Sequence, residues 1–536
     1  MGELLLGIDI GTYSSKGVLC RPDGQVVADA RREHRMAVPR PGWAEQDADA
    51  VWWTDFASIA RELASAVRAG DRIAAVAASA IGPCLLPIDE TGRPLRAGIL
   101  YGVDVRATEQ IVELESRFSP EALFALGGMR LTSQAVGPKL LWLRQHEPAI
   151  WRRAERFHTA SSYLVLRLTG RHVIDRHTAS HFNPLIDLGR LAWDDRFADA
   201  IAPIERLPEL AWSDELVGVV TPDAARETGI PAGTPVTGGT VDALAEAVSV
   251  GAVRPGDLML MYGSTAFMIL VTDGLRTHRD LWATGGAFRG QRAMAAGMST
   301  TGSATTWFRD NLARDLEASG GGGYAELAHE AAMAPPGANG LLFLPYLSGE
   351  RTPLHDPDAR GVIAGLSLAN DRADLYRALL EGTSFGIRQI IETMRESGAP
   401  IERVIAVGGG ATSKLWLEIV SSAAGVIQEL PARTIGASYG DAFLAGIAAG
   451  LIDGLDALDR DWVTLTDRIR PVPTLAAAYD SLYPLFRRLY RDSRPTVNAL
   501  AAWERSSSNL AEQPGAVHPA PRADAAAPFA AQTAES

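Results

Sequence analysis

One acidic residue and a run of small hydroxyl residues stand close together near the start of the chain. Residues 4–19 read LLLGIDIGTYSSKGVL, so Asp9 lies near the end of an apolar strand, and Gly11, Thr12 and Ser14 belong to the turn into a second strand. Glycine and small hydroxyl residues leave backbone N–H groups open to an anion, and a nearby carboxylate is suited to a cation. The stretch is typical of either a phosphate-binding turn or a plain β-hairpin.

A second stretch of the same design lies about half a chain later. Residues 257–271 read DLMLMYGSTAFMILV, which is an apolar strand, a turn of Gly263, Ser264 and Thr265, and another apolar strand. When the two stretches are aligned, Gly11 falls on Gly263. A repeat at this distance predicts two similar α/β domains that face each other, and not a solenoid of short repeats. The alternative is a pair of unrelated hairpins in a large protein.

Two further glycine turns lead into predicted helices. Residues 404–425 contain an apolar strand, three glycines at 408–410, and then a helix that begins at Thr412 or Ser413. Glycines let a flat ring or a phosphate approach the backbone, and a helix N-terminus attracts an anion. The stretch lacks the GxxxxGK[ST] pattern of a P-loop, so we exclude that nucleotide fold. Residues 297–310, GMSTTGSATTWFRD, supply another turn of this kind.

Asp242 follows a glycine turn at the predicted start of a helix. The surrounding sequence is VTGGTVDAL, residues 236–244. The helix dipole stabilises a carboxylate at this position, whether the carboxylate caps the helix or faces a reacting group. At this point the residues leave both interpretations open.

The elements around these residues alternate between strands and helices. Residues 50–70 predict a helix, since apolar residues recur at helical spacing before Gly70. Residues 73–89 predict two buried strands around a Gly-Pro turn. Residues 231–253 predict a strand, a glycine turn and a helix that begins near Asp242.

Changes in composition divide the chain into parts. We place the join between the two halves at residues 245–254. A helical extension is expected over residues 451–495. Residues 496–536 are rich in Ala, Pro, Ser and Gln and poor in large apolar side chains, so we expect a disordered tail there.

Composition excludes several classes of function. The 536 residues carry a net charge of −13, which argues against a general surface for nucleic acids or anionic membranes, since both need a basic face. Cys20 and Cys84 form no CxxC pair, so neither a disulfide framework nor a structural zinc site is expected. Glu3 and Asp9 interrupt the N-terminal apolar run, and no stretch is long enough to span a bilayer. We therefore expect a soluble, cytoplasmic protein.

The order of these motifs resembles that of the FGGY carbohydrate kinases, a family with the actin–hexokinase–heat-shock ATPase fold. The resemblance covers residues 4–450. It implies an α/β fold of two actin-like ATPase (ribonuclease H-like) domains, residues 1–245 and 254–450, that enclose a nucleotide and sugar cleft. The stretches that carry it are GIDIGTYSSKGVL and YGSTAFM for two phosphate loops, VIAVGGGATSKLWLEI for an adenosine loop, PGWAEQDADAVWW, KLLWLRQHEP, and GVIAGLSLANDRADLYRALLEG for the longer signature.

The resemblance implies a role for each matching residue. Asp9 is expected to orient Mg²⁺, and Asp242 is expected to be the base that faces a sugar hydroxyl. ILYGVDVRA, residues 99–107, matches a sugar-site segment, so Asp104 and Arg106 are expected to contact the substrate. The alternative for these two is an exposed helix start or a structural ion pair. ATP is expected to be bound by two phosphate loops and a glycine border: Gly11, Thr12 and Ser14; Gly263, Ser264 and Thr265; and Gly302, Gly409 and Gly410.

The resemblance also bears on the substrate and the assembly. LPYLSGERTPLHDPDARG, residues 344–361, is similar to the xylulokinase-like branch, so D-xylulose, phosphorylated at its terminal hydroxyl, is the first expectation. That branch usually has Gln-Met-His where residues 79–82 are Ser-Ala-Ile-Gly, and Asn after the base where this chain has Ala243. Another ketose or polyol, such as ribulose, erythritol or glycerol, stays open because these changes remove polar groups. A non-catalytic regulator that binds sugar and ATP, and a homodimer, also stay open.

Overall fold

A seven-stranded sheet forms the centre of the first half of the protein. The computed structural model describes residues 2–317 and 322–511, with side-chain surroundings up to residue 506. The sheet has the order β5-β6-β4-β1-β2-β3, and β7 pairs with β4. Its strands are β1 (Gly2–Ile10), β2 (Ser14–Cys20), β3 (Val26–Glu33), β4 (Asp71–Ala80), β5 (Leu216–Val219), β6 (Pro235–Thr237) and β7 (Thr240–Val241).

A second seven-stranded sheet forms the centre of the second half. It has the order β10-β11-β9-β8-β12-β13-β14. Its strands are β8 (Asp257–Tyr262), β9 (Ala266–Thr272), β10 (Trp282–Gly285), β11 (Arg292–Gly297), β12 (Arg403–Val407), β13 (Gln428–Pro431) and β14 (Leu465–Ile469). Two-stranded pairs outside both sheets are Glu45–Gln46 with Gly98–Ile99, Leu86–Ile88 with Arg156–His158, Val173–Asp175 with Glu209–Ala211, Ile186–Asp187 with Ala192–Trp193, and Leu342–Leu344 with Val362–Ala364.

Helices cover the sheets and connect their strands. A π-helix, Ala48–Trp53, continues into the first α-helix, which confirms the helix predicted from residue 50, although it ends before Gly70. The α-helices of the described residues are α1 (Thr54–Ser65), α2 (Thr108–Phe118), α3 (Pro120–Gly127), α4 (Val136–His146), α5 (Pro148–Arg153), α6 (Ala160–Thr169), α7 (Arg176–Ala179), α8 (Pro222–Thr228), α9 (Asp242–Ser249), α10 (Gly302–Leu312), α11 (Arg314–Glu317), α12 (Tyr324–Met333), α13 (Arg372–Glu396), α14 (Lys414–Ala424), α15 (Ala437–Ala448) and α16 (Pro473–Ala511).

The two sheets are built on the same plan. In the first sheet, β1 and β2 form an antiparallel hairpin, and β4 runs parallel to β1 on its other side. In the second, β8 and β9 form the hairpin and β12 runs parallel to β8. Gly11 and Gly263 lie in the turns of these two hairpins, so the predicted internal repeat is confirmed.

Helices α9 and α15 lie where the two halves meet. One buried apolar cluster contains residues of both central sheets together with residues of these two helices. The backbones come very close, because a Cβ atom on Gly440 of α15 would overlap with the carbonyl oxygen of Ala245 in α9. A Cβ on Gly7 of β1 would overlap in the same way with the carbonyl oxygen of Ser438. Only glycine permits such contact, so α15 is fixed against both α9 and the first sheet.

The end of the chain differs from the prediction. Strand β14 joins the second sheet, so the extension expected over residues 451–495 is not wholly helical. Helix α16 continues past residue 495 to Ala511, where a disordered tail had been predicted; residues 512–536 of that predicted tail lie outside the described residues. The helix persists because tertiary contacts hold it beyond residue 495: Asn498 donates to Asp356 over 3.5 Å and Arg505 donates to Asp358 over 3.2 Å.

The structure also bears on the predictions for the two cysteines and for membrane-spanning helices. Cys20 and Cys84 are both buried and free, as expected from their apolar surroundings. Within residues 2–317 and 322–511, no helix combines the length and the apolar character that crossing a membrane requires.

Candidate active site

Asp9 lies near the end of β1, beside Ser79 of β4. The two residues are partners in the parallel register of these strands. The Ser79 hydroxyl donates to Asp9 Oδ1 over 3.0 Å. The other oxygen, Oδ2, lies on the side of the following turn, 3.9 Å from the place where a Cβ of Gly11 would be. One oxygen of Asp9 is therefore held by the sheet and the other faces the turn.

Asp242 is the first residue of α9, directly after the short strand β7. The residue before it, Val241, is the N-cap and has no capping side-chain bond, so Asp242 is not the N-cap of the helix. Its Oδ1 accepts a hydrogen bond of 2.7 Å from the N–H of Ala243. Strand β7 pairs with β4 next to Ser79, so the sheet brings Asp242 toward Asp9.

Several acidic side chains share this buried region. Burial raises the pKa of Asp9 to about 6. Burial, together with the negative charges of Asp9 and Glu246, raises the pKa of Asp242 to about 8. Burial also raises the pKa of Glu246 to about 7, against the opposing charge of Lys16. Carboxyl groups with raised pKa values that lie close together are candidates for a proton acceptor and for a cation ligand.

The turn after Asp9 is held from outside by a histidine. His34 Nε2 lies 3.0 Å from the Gly11 carbonyl oxygen, and Nδ1 lies 2.8 Å from Asp55 Oδ2. His34 therefore connects the Gly11 carbonyl of the turn with the Asp55 carboxylate of α1. Within the turn, the Gly11 N–H donates to the Ser14 carbonyl over 3.0 Å. The Thr12 hydroxyl lies 3.1 Å from the hydroxyl of Tyr101.

The second turn is attached to the start of α10. The N–H of Gly302 donates to the Gly263 carbonyl over 3.0 Å, and the N–H of Thr301 donates to the Ser264 carbonyl over 3.0 Å. A Cβ on Gly302 would lie 2.5 Å from the Gly263 oxygen, so only glycine fits there. The Thr265 carbonyl accepts from the Gly263 N–H and closes the turn. The predicted phosphate loop and Gly302 therefore form one unit.

The glycines at 408–410 adjoin the same loop. Gly408 has a φ of +91°, and a Cβ there would lie 2.7 Å from the carbonyl oxygen of Tyr262, the last residue of β8. Gly409 has open space on its Cβ side, and Gly410 lies against Tyr262 and Trp416. The N-cap of α14 is Ser413, one of the two predicted starts. Strand, glycine turn and helix follow the predicted order, and Gly409 is free to border a ligand.

Asp104 and Arg106 occupy a different place from the predicted one. Their side chains form an ion pair of 2.6 Å with no exposed surface on either side chain. Asp104 also accepts from the Ala44 N–H over 2.7 Å, and the Arg106 guanidinium lies 3.9 Å from the ring centroid of Trp43. Their burial and their pairing with each other favour the structural ion pair of the alternative interpretation over contact with the sugar.

Other polar groups surround Tyr101, whose phenol interacts with the charge of Asp242. Tyr101 is close enough for the charges of Asp242 and Arg351 to affect it, and burial raises the pKa of its phenol to about 12. Gln134 accepts from the Gly102 N–H over 3.0 Å, and its Nε2 lies 3.8 Å from the place of a Cβ on Gly82. Arg351 comes from the second half of the chain and donates to the Met298 carbonyl over 2.7 Å. These three side chains are better placed for a substrate than Asp104 and Arg106.

Sequence reasoning missed Glu246, Arg351 and Asp441. Glu246 follows Asp242 by one turn of α9, so helical spacing alone could have found it. Asp441 is an acid within the apolar sequence ASYGDAFLAG, the same kind of signal that drew attention to Asp9. Arg351 lies in a stretch from which we predicted only the substrate. Nothing in the sequence around it indicated a role for this residue in the site.

Comparison with known proteins agrees with this geometry. The N-terminal and C-terminal domain models of the FGGY family of carbohydrate kinases match residues 4–249 and 258–449. Xylulose kinase of Escherichia coli (strain K12) is 30% identical over 502 residues, which are 92% of this chain and 99% of that protein. Gluconokinase of Bacillus subtilis (strain 168) is 27% identical over 511 residues, 94% of this chain and 99% of that protein.

Solved structures give the same result for the fold. The crystal structure of xylulose kinase from Rhodospirillum rubrum is 33% identical and superimposes with a TM-score of 0.85 over 92% of this chain and 99% of that chain. The two family domains together match most of the chain, one around each seven-stranded sheet. The chain therefore belongs to the FGGY family of carbohydrate kinases and has their two-domain, actin-like ATPase fold.

Proposed function

We propose that this kinase transfers the γ-phosphoryl group of ATP to the terminal hydroxyl of D-xylulose and forms ADP and D-xylulose 5-phosphate. The observation that supports this most is the placement of Asp242 at the start of α9, near Asp9 and beside the end of β4. A carboxylate with a raised pKa at this place is suited to accept a proton from an attacking hydroxyl.

The reaction divides the work between these residues. Asp242 accepts the hydroxyl proton as the sugar oxygen bonds to the γ-phosphorus, and the bond from that phosphorus to the bridging oxygen of ADP breaks. The turns at Gly11 and Gly263 hold the phosphates between them through backbone N–H groups. Phosphoryl transfer needs charge neutralisation and in-line positioning more than covalent catalysis, which matches this set of groups.

Asp9 is the residue that we propose for Mg²⁺. Its carboxylate is a hard oxygen ligand, and Oδ2 faces the first phosphate turn while Oδ1 is bonded to Ser79. In the described part of the chain, no three His, Cys, Asp or Glu side chains are grouped so that they could hold a metal. This favours a metal held by one carboxylate and by the phosphates of ATP. When bound, Mg²⁺ supplies positive charge to the phosphates and favours the ionised form of Asp242.

A sugar acid is the second candidate substrate. The Nε of Arg351 is buried and has no hydrogen-bond partner among the described residues, so the guanidinium has capacity for an anionic group. Gluconokinase of Bacillus subtilis is among the similar proteins. Xylulose kinases of Escherichia coli and Rhodospirillum rubrum are 30% and 33% identical, which is the reason that D-xylulose comes first.

A panel of substrates tests this proposal. ADP release is measured by a coupled assay with D-xylulose, D-ribulose, L-ribulose, erythritol, glycerol and D-gluconate, and kcat/KM is compared. The highest value is expected for D-xylulose. A value for D-gluconate about a hundredfold higher, a difference that a built polar site readily produces, would instead select the sugar acid. ATP binding with no turnover of any compound would point to a non-catalytic regulator.

The oligomeric state and the cellular compartment are separate predictions. We expect a cytoplasmic protein, and a homodimer is one expected assembly. Size-exclusion chromatography with light scattering distinguishes a dimer from a monomer. Fractionation of the native host tests the compartment.

A further inference from the structure

A single hydroxyl connects Asp9 with a carboxyl group from the other half of the chain. Ser79 Oγ lies 3.0 Å from Asp9 Oδ1 and 2.7 Å from Asp441 Oδ2. The Ser79 N–H also donates to Asp441 Oδ2, over 3.1 Å. Both Asp441 and Ser79 are fully buried. Ser79 therefore lies between two carboxyl groups and has no surface exposed to water, so a water molecule cannot replace either partner.

Asp441 comes from α15, the helix that packs against α9 and the first sheet. Residues 437–448 lie within the part of the chain that matches the C-terminal family domain, whereas Asp9 and Ser79 lie in the N-terminal match. The bonds from Asp441 to Ser79 thus cross between the two halves. They do so at the point where glycine contacts bring the backbones together.

We propose that Asp441 is a positioning residue for Asp9. From α15 it holds the Ser79 backbone and hydroxyl, and through that hydroxyl it fixes Oδ1 of Asp9 so that Oδ2 faces the first phosphate turn. The orientation of the metal-binding carboxylate then depends on where α15 lies. This inference rests on the proposed role of Asp9 toward Mg²⁺.

The single proton of the Ser79 hydroxyl explains why Asp441 affects the orientation of Asp9 more than an ordinary buried neighbour would. A serine hydroxyl has one proton and accepts one or two hydrogen bonds, so it cannot donate to both carboxyl groups at once. The three side chains form a continuous series of hydrogen bonds if Asp441 donates to Ser79 Oγ while Ser79 donates to Asp9. Burial, with the charges of Asp9 and Asp242, keeps the pKa of Asp441 well above its ordinary value, in agreement with this direction. Its Oδ1 has no partner among the described residues, which an uncharged carboxyl tolerates better than a charged one.

The arrangement also links the halves of the cleft. Close glycine contacts fix α15 against the first sheet, so the bonds from Asp441 to Ser79 hold the two halves together beside Asp9. Asp9 keeps its metal-binding orientation while Asp441 and Ser79 stay in contact. Residues that orient a metal ligand commonly contribute about 10- to 100-fold to metal affinity or activity.

Four variants test the inference by metal binding. Binding of Mn²⁺ in the presence of ADP is measured by electron paramagnetic resonance for the wild type, Asp441→Ala, Asp441→Asn and Ser79→Ala, with Ser438→Ala as a matched control on the same helix. The hydroxyl of Ser438 is buried without a partner among the described residues, so its removal leaves metal binding unchanged. Thermal unfolding is recorded for each variant. The Mg²⁺ concentration for half-maximal rate and the KM for D-xylulose complete the comparison.

We expect Asp441→Ala and Ser79→Ala to weaken Mn²⁺ binding about tenfold, with little change in the KM for sugar. Asp441→Asn keeps the size of the side chain but only one of its two bonds to Ser79, since a single amide atom cannot both accept from the Ser79 N–H and donate to Ser79 Oγ. We therefore expect it to bind Mn²⁺ more weakly than the wild type and more tightly than Asp441→Ala. Wild-type affinity in a folded Asp441→Ala protein would overturn the inference. If Asp441→Ala does not fold, wild-type affinity in Asp441→Asn would overturn it.

Asp9→Asn separates this inference from the proposed function. If Asp9→Asn keeps wild-type Mn²⁺ affinity, Asp9 is not the metal residue and the proposed role fails. If Asp9→Asn loses affinity while Asp441→Ala and Ser79→Ala keep it, the role of Asp9 stands and only the positioning role of Asp441 fails.

Discussion

At the scale of single residues, Asp242 is the side chain whose chemistry is most sensitive to a small change. Asp242→Asn keeps its size and an oxygen for the Ala243 N–H but removes the proton acceptor. We expect kcat to fall about 10²- to 10⁴-fold, the usual contribution of a general base. ADP binding, measured by calorimetry, is expected to stay close to the wild-type value.

Asp223→Asn is the matched control, because Asp223 is also an acid in the first turn of a helix and is exposed on α8. It is expected to leave turnover unchanged. Asparagine caps helices about as well as aspartate. If the Asp242→Asn protein turned over like the wild type, Asp242 would have only a structural role in α9.

Burial and the charge of Asp9, and to a smaller extent the charge of Glu246, set the pH at which Asp242 becomes a base. The negative charge of Glu246 is among the causes that raise the pKa of Asp242 to about 8, so the base form, and with it kcat/KM for sugar, increases as the pH rises. Glu246→Gln removes that charge, so the rising part of the pH profile is expected to move to lower pH. The profile is measured at saturating ATP and Mg²⁺. A profile that stays in place, or moves to higher pH, would contradict the electrostatic link.

Asp9 and Asp242 attract attention in the sequence because each is an acid in an apolar or glycine-rich setting, and the roles predicted for them come from the resemblance to the FGGY family. Asp104 and Arg106 could not be assigned in this way. Their spacing along the chain shows that they can pair, but their burial depends on Trp43, which stacks on Arg106 from another segment. A role that depends on tertiary burial is not visible in a local pattern.

At the scale of elements, the contact between α10 and the second phosphate turn depends on one glycine. Gly302→Ala places a Cβ 2.5 Å from the Gly263 carbonyl oxygen, which is too close for any real pair of atoms. The turn and the helix must separate, and we expect the KM for ATP to rise several-fold while the KM for sugar changes much less. Steady-state kinetics with each substrate varied in turn measures both values.

Gly274→Ala serves as the control for this substitution. No heavy atom lies within 4 Å of its added Cβ, so both KM values are expected to stay as in the wild type. Equal changes in the two variants would mean that the effect is general destabilisation and not separation of turn and helix.

Local pattern was sufficient for the hairpins but not for the length of the last helix. The β1–β2 and β8–β9 hairpins and the start of α9 follow from alternating apolar residues and glycine turns. The length of α16 does not, because Asp356, more than a hundred residues earlier in the chain, accepts from Asn498 and so holds the helix beyond residue 495.

At the scale of the whole molecule, buried carboxyl groups make stability depend on pH. Burial raises the pKa of Asp242 to about 8 and those of Glu246 and Glu350 to about 7. The folded state therefore binds more protons at neutral pH than the unfolded state does, so the free energy of unfolding falls as the pH rises through these values. Buried histidines act in the opposite direction only at lower pH, since the pKa of His177 is lowered to about 4.

We expect the Tm of the ligand-free protein to decrease between about pH 6.5 and 8.5, and to decrease less steeply in Asp242→Asn. Differential scanning fluorimetry in a series of buffers of equal ionic strength measures both slopes. A Tm that is constant or rises over this range in the wild type would show that these groups do not keep their protons in the folded state.

The bonds between α16 and Asp356 also set an order of events while the chain is being synthesised. Tyr490 is translated 134 residues after Asp356, the carboxylate that it holds in the segment next to Arg351. Domains fold as units during synthesis, the N-terminal one first. The strands and turns that hold Asp9 and Asp242 are therefore synthesised long before α16, the helix that holds the segment next to Arg351. We therefore expect a chain released before α16 to possess the phosphate turns but to lack full activity, because the bond from Tyr490 to Asp356 is missing.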